Sequence, residues 1–170
     1  RQEQLAMQFI TLIQEIFKQE QLDLWLRPYQ ILCVGNQAGL IEAVADAKSI
    51  DVIKKRTPNF TTLRDYFERM YGNMYAPVAR RAQFCFAKSL AAYSVIMYLL
   101  QVKDRHNANI LLDKAGHIIH IDYGFMLGQS PGSIKFETAP FKLPADYVNL
   151  MGGPNEPAYE MFRTLMIEAF

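Results

Sequence analysis

The chain has 170 residues, enough for one domain or one large lobe, and 51% of them are hydrophobic, enough to bury a core. Its formal net charge is +1, which excludes a broad basic field, so nucleic acid is not an expected partner. Cys33 and Cys85 form no paired metal motif and read as reduced core residues of a cytosolic protein; the longest apolar run, Leu90 to Leu100, is short for a bilayer span and is broken by Ser94.

Leu5, Phe9, Leu12, Ile13, Ile16 and Phe17 recur at helical spacing and predict an amphipathic helix from residue 1 to about residue 20. Pro28 ends the next segment. Tyr29 to Val34 and Leu40 to Val44 read as two strands turning through Gly35 to Gly39, with a linker at residues 45–48. Ser49 to Lys55 reads as a short helix, broken at Thr57-Pro58-Asn59. Thr61 is placed to cap a helix from Leu63 to Tyr71 that Gly72 ends. Pro77 opens a long helix reaching about Gln101. Phe84, Ala87, Ala91, Val95 and Tyr98 make it apolar on most sides, the signature of a buried helix. Lys54-Lys55-Arg56 and Arg80-Arg81 read as solvated helix faces. Residues 125–143 hold little periodicity, and a loop that long is commonly functional. Pro144 begins a further helix ended by Gly152-Gly153, and Glu156 to Phe170 reads as helical.

The chemistry concentrates between Lys103 and Gly124, K-D-R-H-N-A-N-I-L-L-D-K-A-G-H-I-I-H-I-D-Y-G. Asp104 stands five residues before Asn109, the relation a kinase catalytic loop uses to set an acid by the acceptor hydroxyl and an amide on magnesium. A second acid must then return to the same metal. Strands over Ile110–Asp113 and His117–Ile121, turning through Lys114-Ala115-Gly116, would bring Asp122 back. His117 and His120, three apart on a strand, point to opposite faces, which argues against a zinc site; His120 is expected to hydrogen-bond backbone near Asp122. Arg105 is expected to pair with an acid in the loop.

Asp104-Arg105-His106-Asn107-Ala108-Asn109 followed by His120-Ile121-Asp122-Tyr123-Gly124 resembles the D-R-H-x-x-N and H-I-D-F-G motifs of the phosphatidylinositol 3-/4-kinase superfamily, with Tyr123 in place of Phe. The resemblance implies an α+β, bilobed protein-kinase-like fold. Residues 1–44 would be part of the small lobe and 45–48 the hinge. Residues 49–170 would be a mainly helical large lobe, with its catalytic loop at 103–109 and activation loop at 122–143. It also implies catalysis by Asp104 and His106. His106 is the favoured proton acceptor, with a suitable intrinsic pKa, and Asp104 its orienting partner. Asn109 and Asp122 would hold Mg²⁺ (or Mn²⁺), a cation suited to hard oxygen ligands. Arg1-Gln2-Glu3 resembles the end of a family motif whose last acid points into the ATP pocket, a role that falls to Glu3; on sequence alone Glu3 is a surface acid in a first helical turn. Tyr29 and Ile41 would border the pocket, Glu42 and Val44 would offer main-chain groups to adenine, and Leu111 and Ile121 would floor it. Ala43 stands where the family has Pro.

The stretch Phe136 to Leu143, with Leu150-Met151-Gly152-Gly153, is similar to type III beta phosphatidylinositol 4-kinases. That likeness implies a headgroup role for Lys135 and Lys142, with Phe136, Phe141 and Leu143 near a membrane interface, and fits an unphosphorylated inositol ring. The expected reaction is transfer of the ATP γ-phosphate to the 4-hydroxyl of phosphatidylinositol, with protein adaptors, in the cytoplasm on peripheral membrane, the Golgi by resemblance. A Ser/Thr protein kinase of the related large family and a pseudokinase scaffold remain alternatives. Arg1 opens directly into a helical pattern, and no glycine-rich phosphate loop or strand-borne ATP-binding Lys precedes it. The expectation is a piece of a larger enzyme, inactive alone.

Overall fold

The computed structural model describes residues 1–35, 38–129, 139 and 141–170. Its class is α+β, with helices and two small antiparallel sheets following one another along the chain. The first helix, α1 (Gln2–Gln19), lies where the periodicity predicts it, but its buried stripe is Ala6, Met7, Ile10 and Phe17. Leu5, Leu12 and Ile16, on the predicted apolar face, are exposed. Only one stripe of a straight helix can meet a core on one side, and here the small Ala6 allows the closest approach.

Strands β1 (Ile31–Cys33) and β2 (Gly39–Ile41) form a hairpin with Ile31 opposite Ile41, shorter than the predicted strands. The second sheet runs β3 (Ala47–Ser49), β4 (Ile110–Asp113) and β5 (Ile118–His120), with β4 in the middle. Ala47 and Lys48, expected in a linker, therefore pair with Asp113 and Leu112. Helix α2 (Ile50–Arg56) is capped by the Ser49 hydroxyl, which accepts from the Val52 N–H. Helix α3 (Leu63–Tyr71) is capped by Thr62 rather than Thr61. The Thr62 hydroxyl accepts from the Asp65 N–H, while the Thr61 hydroxyl donates to the Asp65 carboxylate one turn on. A cap must sit one residue before the first helical turn, so moving it by one position moves the bond.

Helix α4 (Pro77–Leu100) is the core element. Its length and composition would suit a membrane crossing, yet most of it is buried by its neighbours, so its apolar surface is core surface. Phe86 on α4 meets Phe67 of α3 and Tyr147 of α5 (Ala145–Leu150), each ring pair nearly perpendicular at 88°. Helix α6 (Pro157–Glu168) packs along α4 as well. Cys33 and Cys85 are free but half-buried, not core residues, because each stands at the edge of its element's packed face.

The β4–β5 hairpin is locked to α4 at its turn and along β5. Asp113 Oδ1 accepts from the Ala115 N–H at 2.9 Å and the His117 N–H at 2.8 Å, so the side chain holds the turn. The Ile118 N–H donates to Ser89 Oγ of α4. Gly116 has φ +102°, and a Cβ there would lie 2.7 Å from the Ala82 carbonyl oxygen and 3.1 Å from its Cα. Gly116→Ala is therefore expected to destabilise the fold by about 2–4 kcal/mol, left-handed strain plus a backbone clash, measured by urea unfolding. An unchanged midpoint would mean that the turn slides off α4 at no cost.

His117 sits between three partners. Its Nδ1 is 2.9 Å from Asp113 Oδ2, its ring stacks on Trp25 at 3.9 Å and 8°, and it also meets the Cys85 thiol. Burial opposes a charge on this ring, but Asp113 and Cys85 outweigh it and raise the imidazole to about 9. Burial likewise pushes the Asp113 carboxyl up, and the bonds from His117 and Ala115 bring it below its usual value. The folded protein thus holds a proton on His117 that the unfolded chain releases above about pH 6.5. Stability from this group is full below that pH and falls as pH rises toward 9, at no more than about 1.4 kcal/mol per pH unit. Urea unfolding at pH 6.5 and 8.5 should show wild type losing about 2 kcal/mol more than His117→Gln. Equal losses would mean that the imidazole is neutral in the fold.

Candidate active site

Helix α4 delivers the chain to the site. Its last carbonyls are closed by Gln101 in the left-handed conformation, and the next residues run beside 125–127: the Lys103 N–H donates to the Phe125 carbonyl and the Leu127 N–H to the Leu100 carbonyl, both at 2.8 Å. Asp104 then takes φ +61°, a value that Asp tolerates better than most residues. Residues Asn107–Asn109 form a single 3₁₀ turn leading into β4. Asp122, just after β5, also has φ +61°. These two left-handed residues turn the chain just before the 3₁₀ turn and just after β5.

Asn109 and the approach to Asp122 are bonded together. The Ile121 N–H donates to the Asn109 carbonyl at 3.0 Å, so the residue before Asp122 lies against Asn109. Asn109 is buried, and its Nδ2 donates to the Asp104 carbonyl at 3.0 Å, leaving Oδ1 as the oxygen to meet a cation. Asp122 is exposed; its Oδ1 accepts from the Gly124 N–H at 3.1 Å, which fixes the carboxylate's direction. The structure therefore holds the backbone of Asn109 against that of the residue preceding Asp122.

Arg105 departs from expectation. It is buried and pairs with no acid side chain among the described residues. Its Nε donates to the Lys103 carbonyl at 3.0 Å, its Nη1 to the Ile121 carbonyl at 2.8 Å, and its Nη2 to the Asp122 carbonyl. The planar fork matches convergent carbonyls where two chain segments turn together, and burial lowers its pKa. His106 stays exposed, with Nε2 3.7 Å from Asp104 Oδ2, an ion-pair distance beyond hydrogen bonding.

His120 also departs from expectation. It is buried and stacks on Tyr93 at 5.0 Å, and its Nδ1 has no hydrogen-bond partner among the described residues. Burial, with the Arg105 charge beside it, lowers its pKa to about 3, so it is neutral. Tyr123 fills the place predicted for an aromatic ring. It is wholly buried, its ring lies 5.7 Å from the Arg105 guanidinium, and its hydroxyl donates to the His120 carbonyl.

Glu3, Tyr29, Ile41, Glu42, Val44, Leu111 and Ile121 line one cavity of about 390 Å³, together with Ala43 and Asp122. Tyr29 ties its two ends. Its hydroxyl donates to Glu3 Oε1 at 2.6 Å and faces the backbone N–H of Asp122; burial, then Glu3, raises its pKa. Gln2, which sequence reading did not single out, donates from Nε2 to the Gly124 carbonyl and so pins the start of α1 to the turn after Asp122. No local pattern could have flagged a contact spanning that much sequence. At the cavity's other wall the Glu42 N–H donates to the Gln30 carbonyl, but the Gln30 N–H turns to the Glu42 carboxylate at 2.8 Å. The Gln30 N–H therefore does not continue the ladder to the Glu42 carbonyl.

Lys142 lines a smaller cavity of about 40 Å³ with Arg105, Asn107 and His120, beside the catalytic loop. Phe141 lines it too, and Leu143 packs against the core. Lys135 and Phe136 lie outside the described residues.

The phosphatidylinositol 3- and 4-kinase family model matches residues 1–170. The chain belongs to that family. It is 50% identical to a phosphatidylinositol 4-kinase of Dictyostelium discoideum over 98% of this chain and 14% of that protein. It is 49% identical to phosphatidylinositol 4-kinase beta 1 of Arabidopsis thaliana, over 100% of this chain and 15% of the relative. With phosphatidylinositol 4-kinase beta of Danio rerio it shares 46% identity, over 99% and 20%. The chain thus spans a fifth or less of the length of these relatives. In this member of the phosphatidylinositol 3- and 4-kinase family, the matched region includes the whole of the loop–hairpin unit described above.

Proposed function

We propose that this chain carries catalytic machinery for transferring the γ-phosphate of ATP to the 4-hydroxyl of phosphatidylinositol, giving phosphatidylinositol 4-phosphate. The observation that supports it is the single cavity in which all seven residues expected to meet ATP stand beside Asp122, with Asn109 bonded behind it. In this reading residues 1–44 belong to the small lobe of a bilobed kinase fold, the hinge narrows from 45–48 to 45–46 because Ala47 and Lys48 pair with β4, and the rest belongs to the large lobe. Adenine lies between Ile41, Val44, Leu111 and Ile121, a slot of the size and polarity usual for small-molecule sites. The Glu42 carbonyl, to which the Gln30 N–H does not bond, accepts from the adenine amino group.

The donor set fits magnesium. Asn109 Oδ1 and the Asp122 carboxylate are hard oxygens, and magnesium takes few protein ligands alongside phosphate and water. Among the described residues no group of three or more His, Cys, Asp or Glu side chains is arranged to hold a metal ion by itself. When bound, magnesium neutralises charge that develops on the transferred phosphoryl group. His106 removes the proton from the inositol hydroxyl, and Asp104 orients it and stabilises the resulting imidazolium. Lys142 meets the headgroup phosphodiester from beside the catalytic loop, and Lys135 assists from the same segment. The enzyme works on the cytoplasmic face of membranes, including the Golgi, where adaptors recruit it.

The test is to offer the full-length protein labelled ATP with phosphatidylinositol vesicles or with peptides, and to identify the product by chromatography. Phosphatidylinositol 4-phosphate is expected. Labelled peptide with unlabelled lipid, or a 3-phosphate product, would overturn the proposal.

A further inference from the structure

We propose that Cys85 is a reactive thiol, activated by His117 and Asp113, and a site of covalent modification by peroxides and soft electrophiles. The β4–β5 turn packs on the face of α4 that carries Ala82, Cys85 and Ser89. Gly116 abuts Ala82, one turn before Cys85, and the Ile118 N–H reaches Ser89, one turn after it. His117 lies between Gly116 and Ile118 and so stands over Cys85. Asp113 occupies His117 Nδ1 at 2.9 Å, which leaves Nε2 as the nitrogen for the thiol. Trp25, stacked on the ring, blocks its rotation. Thiol, imidazolium and carboxylate are thus in sequence, and a cation held beside a thiol favours the nucleophilic thiolate. The relay is linear, with the imidazole in the middle, and makes no chelate; among the described residues there is no metal-holding cluster. Cys85 is half-buried, so reagent can reach it. Tyr71 of α3, whose hydroxyl donates to the Lys114 carbonyl, is the other titratable neighbour of Cys85 and Asp113.

With hydrogen peroxide the sulfur attacks one peroxide oxygen and the O–O bond breaks. The sulfur is oxidised by two electrons to sulfenic acid and the peroxide is reduced. The thiol proton passes through His117 to the departing hydroxide, which leaves as water. With iodoacetamide an S–C bond forms, iodide leaves and the same proton goes to solvent.

The experiment uses full-length wild-type protein and peptide mapping by mass spectrometry. Native Cys85 should be carbamidomethylated at pH 7 about tenfold faster than the same residue in urea, although folding restricts access to it. His117→Gln should lower the native rate about tenfold while Cys33 labels as before. Dimedone after brief peroxide treatment should tag Cys85. A native rate at or below the unfolded rate would overturn the proposal, and that readout needs no kinase activity. His117→Gln variants that do not fold are replaced by Asp113→Asn, which should lower the rate in the same direction; an unchanged rate there also counts against the relay.

Discussion

Asp122→Asn is expected to lower phosphoryl transfer by about 1,000-fold or more while leaving the fold within about 1 kcal/mol of wild type. The substitution is chosen for the backbone. Asp122 has φ +61°, a conformation Asn adopts as readily as Asp, and the Asn Oδ1 accepts from the Gly124 N–H as the carboxylate does. What is lost is one negative charge facing the cavity that also holds Glu3 and Tyr29. Asp122→Ala is a poorer probe, since left-handed backbone costs a residue without a local polar bond about 1–2 kcal/mol. The measurement is initial rate on phosphatidylinositol vesicles, alongside thermal unfolding. Wild-type turnover by a folded Asp122→Asn enzyme would remove the metal role from this residue. It would also revive the scaffold alternative.

The loop–hairpin unit is legible because its signals are local. Asp104, Asn109 and Asp122 stand at spacings that a short hairpin must close; β4 forms over the expected Ile110–Asp113, and β5 over Ile118–His120, inside the expected His117–Ile121. Long-range contacts were not legible. Arg105 was assigned an acid partner, as a buried cation usually takes one, but converging chain ends presented carbonyls first. His120 was given a backbone bond, but the buried ring spends its face on Tyr93 instead. The cap moved from Thr61 to Thr62, adjacent residues of one type that sequence cannot separate. Cys85 and His117 lie on different elements and meet only through the packing of Gly116 on Ala82. The same limit applies to α1, where the helical period was right and the buried stripe was not. Periodicity fixes which residues share a face, and the neighbour decides which face is covered.

Arg105 offers the second large effect, and two opposing quantities set its size. Removing the guanidinium relieves the cost of burying a charge, which is already visible as a lowered pKa. Against this, three carbonyls lose charge-assisted donors at once: Lys103 before the loop, and Ile121 and Asp122 after β5. The three carbonyls are only part-buried, so each costs toward the low end of about 1–3 kcal/mol when left unsatisfied; together they still outweigh the relief, and Arg105→Met should destabilise by about 2 kcal/mol. Arg105→Lys keeps a charge but reaches fewer carbonyls, because an ammonium lacks the planar fork. It should fold, with kcat reduced about tenfold, since the two chain segments that aim Asp104 and Asp122 are no longer held at one separation. Urea unfolding gives the first quantity and steady-state kinetics on vesicles the second. If Arg105→Met matched wild type in both, the convergence of the two segments would have to come from the Lys103–Phe125 and Ile121–Asn109 backbone bonds alone.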